Sequence, residues 1–203
     1  MATYGQMQTR IADELSRSDL TTHIQYAIKD AIKAYEAQKF FFNELYRQTA
    51  TVSTGESSIS LPTNVAKIDK MQIRRNTSND DWLTHRDLDT ILQLQSPLIQ
   101  SQPTEFAIYN DRILFDCESD QVYPLYITGV QKFTELSASG DTNAWTTQAE
   151  ELIRLRAKAI VYADVIMDQA LATWNHQRER LAFDYLCQQG IVRGSGRVRP
   201  TYF

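Results

Sequence analysis

One stretch constrains this chain more than any other. From Ala144 to Gln189 apolar residues recur at helical spacing through two arms, which predicts a helical hairpin. In the first arm Leu152, Leu155, Ala159, Ala163 and Ile166 share one face of a helical wheel, with Ile153, Ile160 and Met167 beside them. That apolar arc covers close to half the circumference, so the helix is expected to be covered on more than one side. Glu150, Arg154, Asp164 and Asp168 mark the narrow polar side. Thr146 is the expected N-cap, with Glu150 and Glu151 in the first turn, where the helix dipole favours acids. The second arm starts near Ala172 and carries one row of Trp174, Arg178, Leu181, Tyr185 and Gln188 and another of Phe183 and Leu186.

Arg156 breaks the first arm's pattern, because it lies inside the apolar arc between Leu152 and Ala159. Two readings are open. It pairs with an acid of its own chain or reaches the rim along its aliphatic stem, or it crosses to a neighbouring subunit, since arginine suits interface ion pairs.

The N-terminal part is also helical. Thr3 and Gln6 fit a capping box, and Tyr4, Met7, Ile11 and Leu15 repeat at helical spacing. Ser18-Asp19 is the expected cap of a second helix, whose stripe is Leu20, Ile24, Ala27, Ile28, Ala31, Ile32 and Tyr35. Phe40, Phe41 and Phe42 follow. Three adjacent rings cannot share one face, so they form a core hinge or one of them meets another chain.

Between residues 44 and 133 the period changes to two. Glu44–Thr54 and Ser57–Leu61 read as a hairpin about Gly55-Glu56, and Val65–Arg75 as a strand with Met71 and Ile73 on its inner face. Thr84 is the expected cap of a short helix with Leu88, Ile91 and Leu92 buried, ended by Ser96-Pro97. Gln93, Gln95, Gln100 and Gln102 read as a surface loop. Asn110-Asp111 is a two-residue turn between Glu105–Tyr109 and Arg112–Phe115. Val122–Phe133 is the last strand, bent near Pro124 or Gly129. The fold class is therefore α+β: N- and C-terminal helices forming a helical bundle, an inserted small antiparallel sheet, and an extended C-terminal arm. Residues 1–189 form a single domain, helical over 1–43 and 144–189 with a β insert over 44–133, and residues 190–203 form the arm.

The arm rests on composition. Gly190, Gly194, Ser195, Gly196 and Pro200 leave it unable to build a core. Fully extended it spans about 45 Å. It carries Arg193, Arg197 and Arg199 and no acid, and ends Pro200-Thr201-Tyr202-Phe203. It is either a frayed tail or a docking segment that orders on a partner, using its rings and arginines as anchors. The whole chain carries a net charge of −4. The body is thus three charges more negative, too acidic for a tight DNA-binding groove.

Reaction chemistry is not visible. His23, His85 and His176 stand on separate elements, and Cys117 and Cys187 lack metal spacing and read as reduced thiols, so no metal or cofactor is expected. Only 7 glycines occur and none forms a phosphate-cradling loop before a helix. Asp80, Asp81 and Asp116 fall in turn-like contexts and read as solvated carboxylates. No catalytic residue is assigned and the chain is not expected to be an enzyme. No signal peptide or spanning apolar run is evident, so no membrane is expected.

At both ends the residues resemble a family. Thr3-Tyr4-Gly5-Gln6-Met7-Gln8-Thr9-Arg10-Ile11-Ala12-Asp13-Glu14-Leu15, Arg17-Ser18-Asp19-Leu20 and Ala27–Tyr35 leading to Phe40-Phe41-Phe42-Asn43-Glu44 are similar to head-to-tail adaptor (connector, head-completion) proteins of tailed bacteriophages. So are Trp145, Glu150-Glu151-Leu152-Ile153-Arg154 with the Ala-rich run to Asp168, and Gly196-Arg197-Val198-Arg199-Pro200. The β insert carries little of the likeness. The resemblance implies a structural virion protein at the neck, assembled in the host cytoplasm. It implies a homo-oligomeric ring, a dodecamer, beneath the portal protein, with genomic DNA passing through without sequence-specific binding. It implies a platform for a tail or nozzle protein and an arm that grips the portal through Arg193, Arg197, Arg199, Pro200, Tyr202 and Phe203. Arg156, Phe40, Phe41 and Phe42 become subunit-interface candidates. Another phage tail-completion or assembly binding module is the alternative.

Overall fold

The computed structural model describes residues 2–75, 79–95 and 99–194, the last four by their backbone alone. The fold is α+β, with six α-helices and a curled mixed sheet among the described residues. It divides into two compact units. One is built from residues up to Asn43 and from Phe133; the other is Glu44–Lys132.

In the helical unit, α1 (Tyr4–Leu15) opens with the expected capping box between Thr3 and Gln6. Its first amides also donate outward, Tyr4 to the Asp141 carbonyl at 2.9 Å and Gly5 to that of Ser139 at 2.8 Å. A side chain at Gly5 would meet Ser139 at 2.9 Å, so close approach of the 139–141 loop requires glycine there. Helix α2 (Thr21–Tyr35) buries Ile24, Ala27, Ile28 and Ala31. Ser18-Asp19 does not cap it. Arg17 takes the Asp19 carboxylate with two bonds of 2.8 and 2.7 Å, and Leu20 stands at the cap position without a side-chain bond.

A short helix, α3, lies in the other unit (Leu88–Leu94). The expected hairpin follows as α4 (Ala144–Thr147), α5 (Glu150–Val161), a π-helical turn (Tyr162–Ile166) and α6 (Gln169–Gly194). The cap of its opening turn is Asn143 rather than Thr146; the Thr146 hydroxyl accepts from the Asn143 amide in return, completing the box one turn earlier than expected. Met167, in the left-handed region at φ 61°, reverses the chain, and Asp168 caps α6 by accepting from Leu171 at 3.0 Å. Helix α6 passes Gly190 and runs to Gly194, because a glycine weakens a helix without stopping it. The first residues assigned to the arm are therefore helical in their backbone. Residues 195–203, with Arg197, Arg199, Pro200, Tyr202 and Phe203, lie outside the described residues.

The unit's core joins Met7, Ile11, Ile24, Ile28, Leu152, Ile153 and Val161 around Trp145. Phe40, Phe42 and Phe133 pack edge-on against the Trp145 ring with centroids 5.2–6.2 Å away. Phe40 is buried, and Phe41 and Phe42 are half-buried against this core. Buried Asn43 fixes the turn behind them, accepting from the Phe40 amide at 2.7 Å and donating to the Gln38 carbonyl at 2.8 Å.

The other unit contains β1 (Glu44–Val52), β2 (Ser58–Ser60), β3 (Val65–Arg74), β4 (Asp80–His85), β5 (Gln100–Ser101), β6 (Glu105–Tyr109), β7 (Arg112–Phe115), β8 (Glu118–Ser119) and β9 (Tyr123–Gln131). The large sheet has the order β1-β9-β3-β4-β6-β7-β2. β1 and β2 do not pair as a hairpin: β1 pairs with β9 and β2 with β7, placing them at opposite edges. The turn at Gly55 (φ 77°) joins those edges, which forces the sheet to curl. Nor is the sheet wholly antiparallel. β4 and β6 run parallel, as do β5 and β8 in a separate two-stranded sheet. The chain between β4 and β6 contains α3, the crossover a parallel pair needs. Asp87, not Thr84, caps α3, since Thr84 belongs to β4; Ile91 is buried while Leu92 is exposed, and Ser96 and Pro97 lie outside the described residues. The Gln100–Gln102 loop includes β5.

The Asn110-Asp111 turn joins β6 and β7 as expected, both residues at positive φ (48° and 56°), as a tight hairpin turn demands. β3 bulges twice opposite β9, and a side chain at Gly129 would lie 2.0 Å from the Lys67 carbonyl oxygen. Met71, Ile73, Ile113, Phe115, Leu125 and Ile127 fill the core beneath.

Candidate interaction surface

Helix α5 is the hub of the helical unit, packed against α2, α6 and α1. Charges buried on it are all answered within the chain. Arg154, expected on the wet side, is buried, and its Nη1 donates to both Glu14 oxygens at 2.5 and 2.6 Å. Lys158, also buried, reaches Glu14 at 2.7 Å, while Arg10 and Arg154 both reach Glu150 at 3.3 Å. Burial alone would raise the Glu14 carboxyl; the bonds from Lys158 and Arg154 outweigh it and hold the group below its ordinary value. This network ties α1 to α5. A wheel drawn from one helix put Arg154 at the surface because it could not include α1.

Arg156 points the other way, towards α6, and pairs with buried Glu179 at 3.0 Å. Glu179 also accepts from the Tyr35 hydroxyl and meets His176 Nδ1 at 2.7 Å. Burial first, then the bond to this carboxylate, pushes the Tyr35 phenol well above its ordinary range. Arg156 thus has an acid partner within its own chain. The spacing had no means of pointing to Glu179, which is 23 residues away on another helix.

The face of α6 that carries Glu179 is packed, through Ala172, Asn175 and Leu186. A second row is not. Leu171, Trp174, Leu181 and Tyr185 are 40, 51, 70 and 62% exposed. Arg178 lies in this row with its guanidinium over the Trp174 ring, 4.8 Å from its centre. Trp174, Arg178, Leu181, Tyr185 and Gln188 are the row read from the sequence; Leu171 extends it by one turn, and its apolar members face outward. Contiguous exposed apolar side chains of this kind are found where a surface meets another protein, a membrane or a ligand.

The carboxylates considered for chemistry are occupied. Asp80 and Asp81 lie on β4 rather than in a turn. Asp80 accepts from Arg47 at 2.6 Å and Arg74 at 2.8 Å; bonds from Arg74 and then Arg47 hold it down to about 2. Both guanidinium groups flank the Tyr126 ring, with their central carbons 4.2 and 4.8 Å from its centre. Asp81 pairs with Arg75 at 3.2 Å. Asp116 accepts from the Thr104 amide at 3.1 Å and its hydroxyl at 2.7 Å. Cys117 and Cys187 are free thiols, raised by burial. Among the described residues no group of three or more His, Cys, Asp or Glu could hold a metal ion, and no helix is long and apolar enough to cross a membrane.

The geometry is that of a scaffold: the charges on α5 paired within the chain, Asp80, Asp81 and Asp116 engaged in structure, and one long helix with an exposed apolar row. Family comparison gives that scaffold its place. The model of the SU10 adaptor protein family matches residues 2–201, and the chain belongs to that family. The family is one of structural adaptors rather than enzymes, and the match is consistent with the phage adaptor that the sequence resembles. No individual curated protein matches closely enough to count as a relative.

Proposed function

We propose that the chain is a head-to-tail adaptor that assembles as a ring beneath the portal, extends the DNA channel and presents a platform for a tail or nozzle protein. The family supports the adaptor role. The observation that carries the ring is the bare row of α6, whose rings and aliphatic side chains remain in water in a single copy. Burying them drives side-to-side packing, and no bond is made or broken. The body is acidic, so DNA passes without the phosphate contacts that would hold it. In this reading the protein sits at the neck of the virion, having assembled in the host cytoplasm.

The arm is the portal grip, with Arg193, Arg197, Arg199, Pro200, Tyr202 and Phe203 as anchors, ordering as it binds. Phe40 is committed to the core. Phe41 and Phe42, half-buried, are the remaining subunit-interface candidates of the three. Truncation after Gly194 tests the arm. The shortened chain is expected to keep the full-length melting curve and to lose binding to the cognate portal ring in co-sedimentation; undiminished binding would refute the arm's role.

A further inference from the structure

The ring reading leaves open which surfaces meet, and α6 narrows the choice. The helix carries two rows, each stepping by three and four residues. Ala172, Asn175, Glu179, Ala182 and Leu186 form one, buried or half-buried. Leu171, Trp174, Arg178, Leu181 and Tyr185 form the other, offset by one residue and so by about 100° around the axis. The second row is about 21 Å long. Its spacing is what a facing helix fills with knobs-into-holes packing.

A matching row exists on α2. His23, Tyr26, Asp30 and Lys33 step by three, four and three residues, and all four are exposed, Tyr26 at 63%. Laid antiparallel to α6 with Asp30 opposite Arg178, this row sets Tyr26 against Leu181, His23 against Tyr185 and Lys33 against Trp174. Each rung is then complementary: carboxylate on guanidinium, ring on aliphatic, ring on ring, ammonium on indole. Among the described residues neither Asp30 nor Arg178 has an ion-pair partner. A self-pairing of α6 about the same centre would instead oppose two copies of Arg178.

We propose that the bare row of α6 receives the outer row of α2 from a second copy of this chain. Because the two rows differ, the contact is heterologous: every copy offers α6 on one flank and α2 on the other, and successive copies propagate until a ring closes. The inference rests on the adaptor reading for its ring but not for its contact.

The test is disulfide trapping in the full chain with Cys187→Ser. Tyr26→Cys and Leu181→Cys in one chain are expected to give, on oxidation at high concentration or on the portal ring, a ladder running past the dimer. Each single cysteine alone is expected to remain monomeric. Arg178→Asp or Asp30→Arg is expected to cut the ladder about tenfold, and the two together to restore it. Tyr26, Asp30 and Leu181 are exposed and Arg178 is half-buried, and matched melting curves check that each variant folds. No ladder in either setting, Leu181→Cys alone forming dimers, or a ladder that needs truncation after Gly194 would each overturn the proposal. The last would assign the row to the chain's own arm. A chain that binds the portal without laddering keeps the adaptor reading and loses this contact; one that ladders without binding the portal does the reverse.

Discussion

Helices α5 and α6 lie side by side, and their sequences promise the same thing: apolar residues on more than one side. They fulfil it differently. In α5, Leu152, Ile153, Leu155, Ala157, Ala159 and Val161 are all buried, together with Arg154 and Lys158. In α6, more than twice as long, Ala172 and Leu186 are buried while Leu181 and Tyr185 stand in water. The difference teaches that apolar breadth counts neighbours without saying whether they belong to the same chain. α5 finds its neighbours within one copy; one row of α6 is left largely exposed there.

Substitutions can sharpen that contrast. Trp145→Ala, which empties the centre of the aromatic cluster that opens the α4–α5 arm, is expected to cost about 3–5 kcal/mol in urea unfolding. A smaller loss would mean that the core around α5 is less closely packed than its burial indicates. Glu14→Gln comes next. It leaves Lys158 buried with a neutral partner and Arg154 with Glu150 alone, and is expected to cost about 3 kcal/mol by the same measurement. Arg154→Met in that background should recover part of the loss by removing one buried charge.

Those two sites show what was legible in the sequence. The Trp145 arm, the capping box at Thr3, the inner face of β3 and the Asn110-Asp111 turn follow from spacing within one segment, and each was readable. The caps were misplaced by a few residues, Thr146 for Asn143 and Thr84 for Asp87; the larger misreadings involve a second segment. Arg154 was assigned to solvent because Glu14 lies 140 residues away. β1 and β2 were paired because they are adjacent in sequence, whereas β9 and β7 supply the partners. The parallel pairing of β4 with β6 is hidden because nothing in the α3 segment itself marks it as a crossover. The row on α6 was legible as a row; its exposure depends on which neighbours exist, and periodicity carries no record of that.

A smaller effect separates the β unit from the helices. The Asp80 carboxyl is held at about 2 against an ordinary 3.8. A depressed pKa contributes stability that is present above pH 4 or so and is lost as pH falls through the folded value. Acid titration from pH 5 to 2 is therefore expected to unfold the wild type more steeply than Asp80→Asn, which has no proton to gain there. Parallel curves would mean that the Arg47–Asp80–Arg74 cluster adds nothing to stability. The smallest folding effect belongs to α6. Leu181→Ser is expected to change unfolding by no more than about 0.5 kcal/mol, while abolishing self-association in sedimentation velocity.

The most direct measurement is a reconstruction of the chain assembled on its portal at side-chain detail. Trp174, Leu181 and Tyr185 should lie beneath a neighbouring subunit's helix, with Arg178 against an acid. If those four side chains face water in the assembled ring, α6 needs no second neighbour and the account of this surface is wrong.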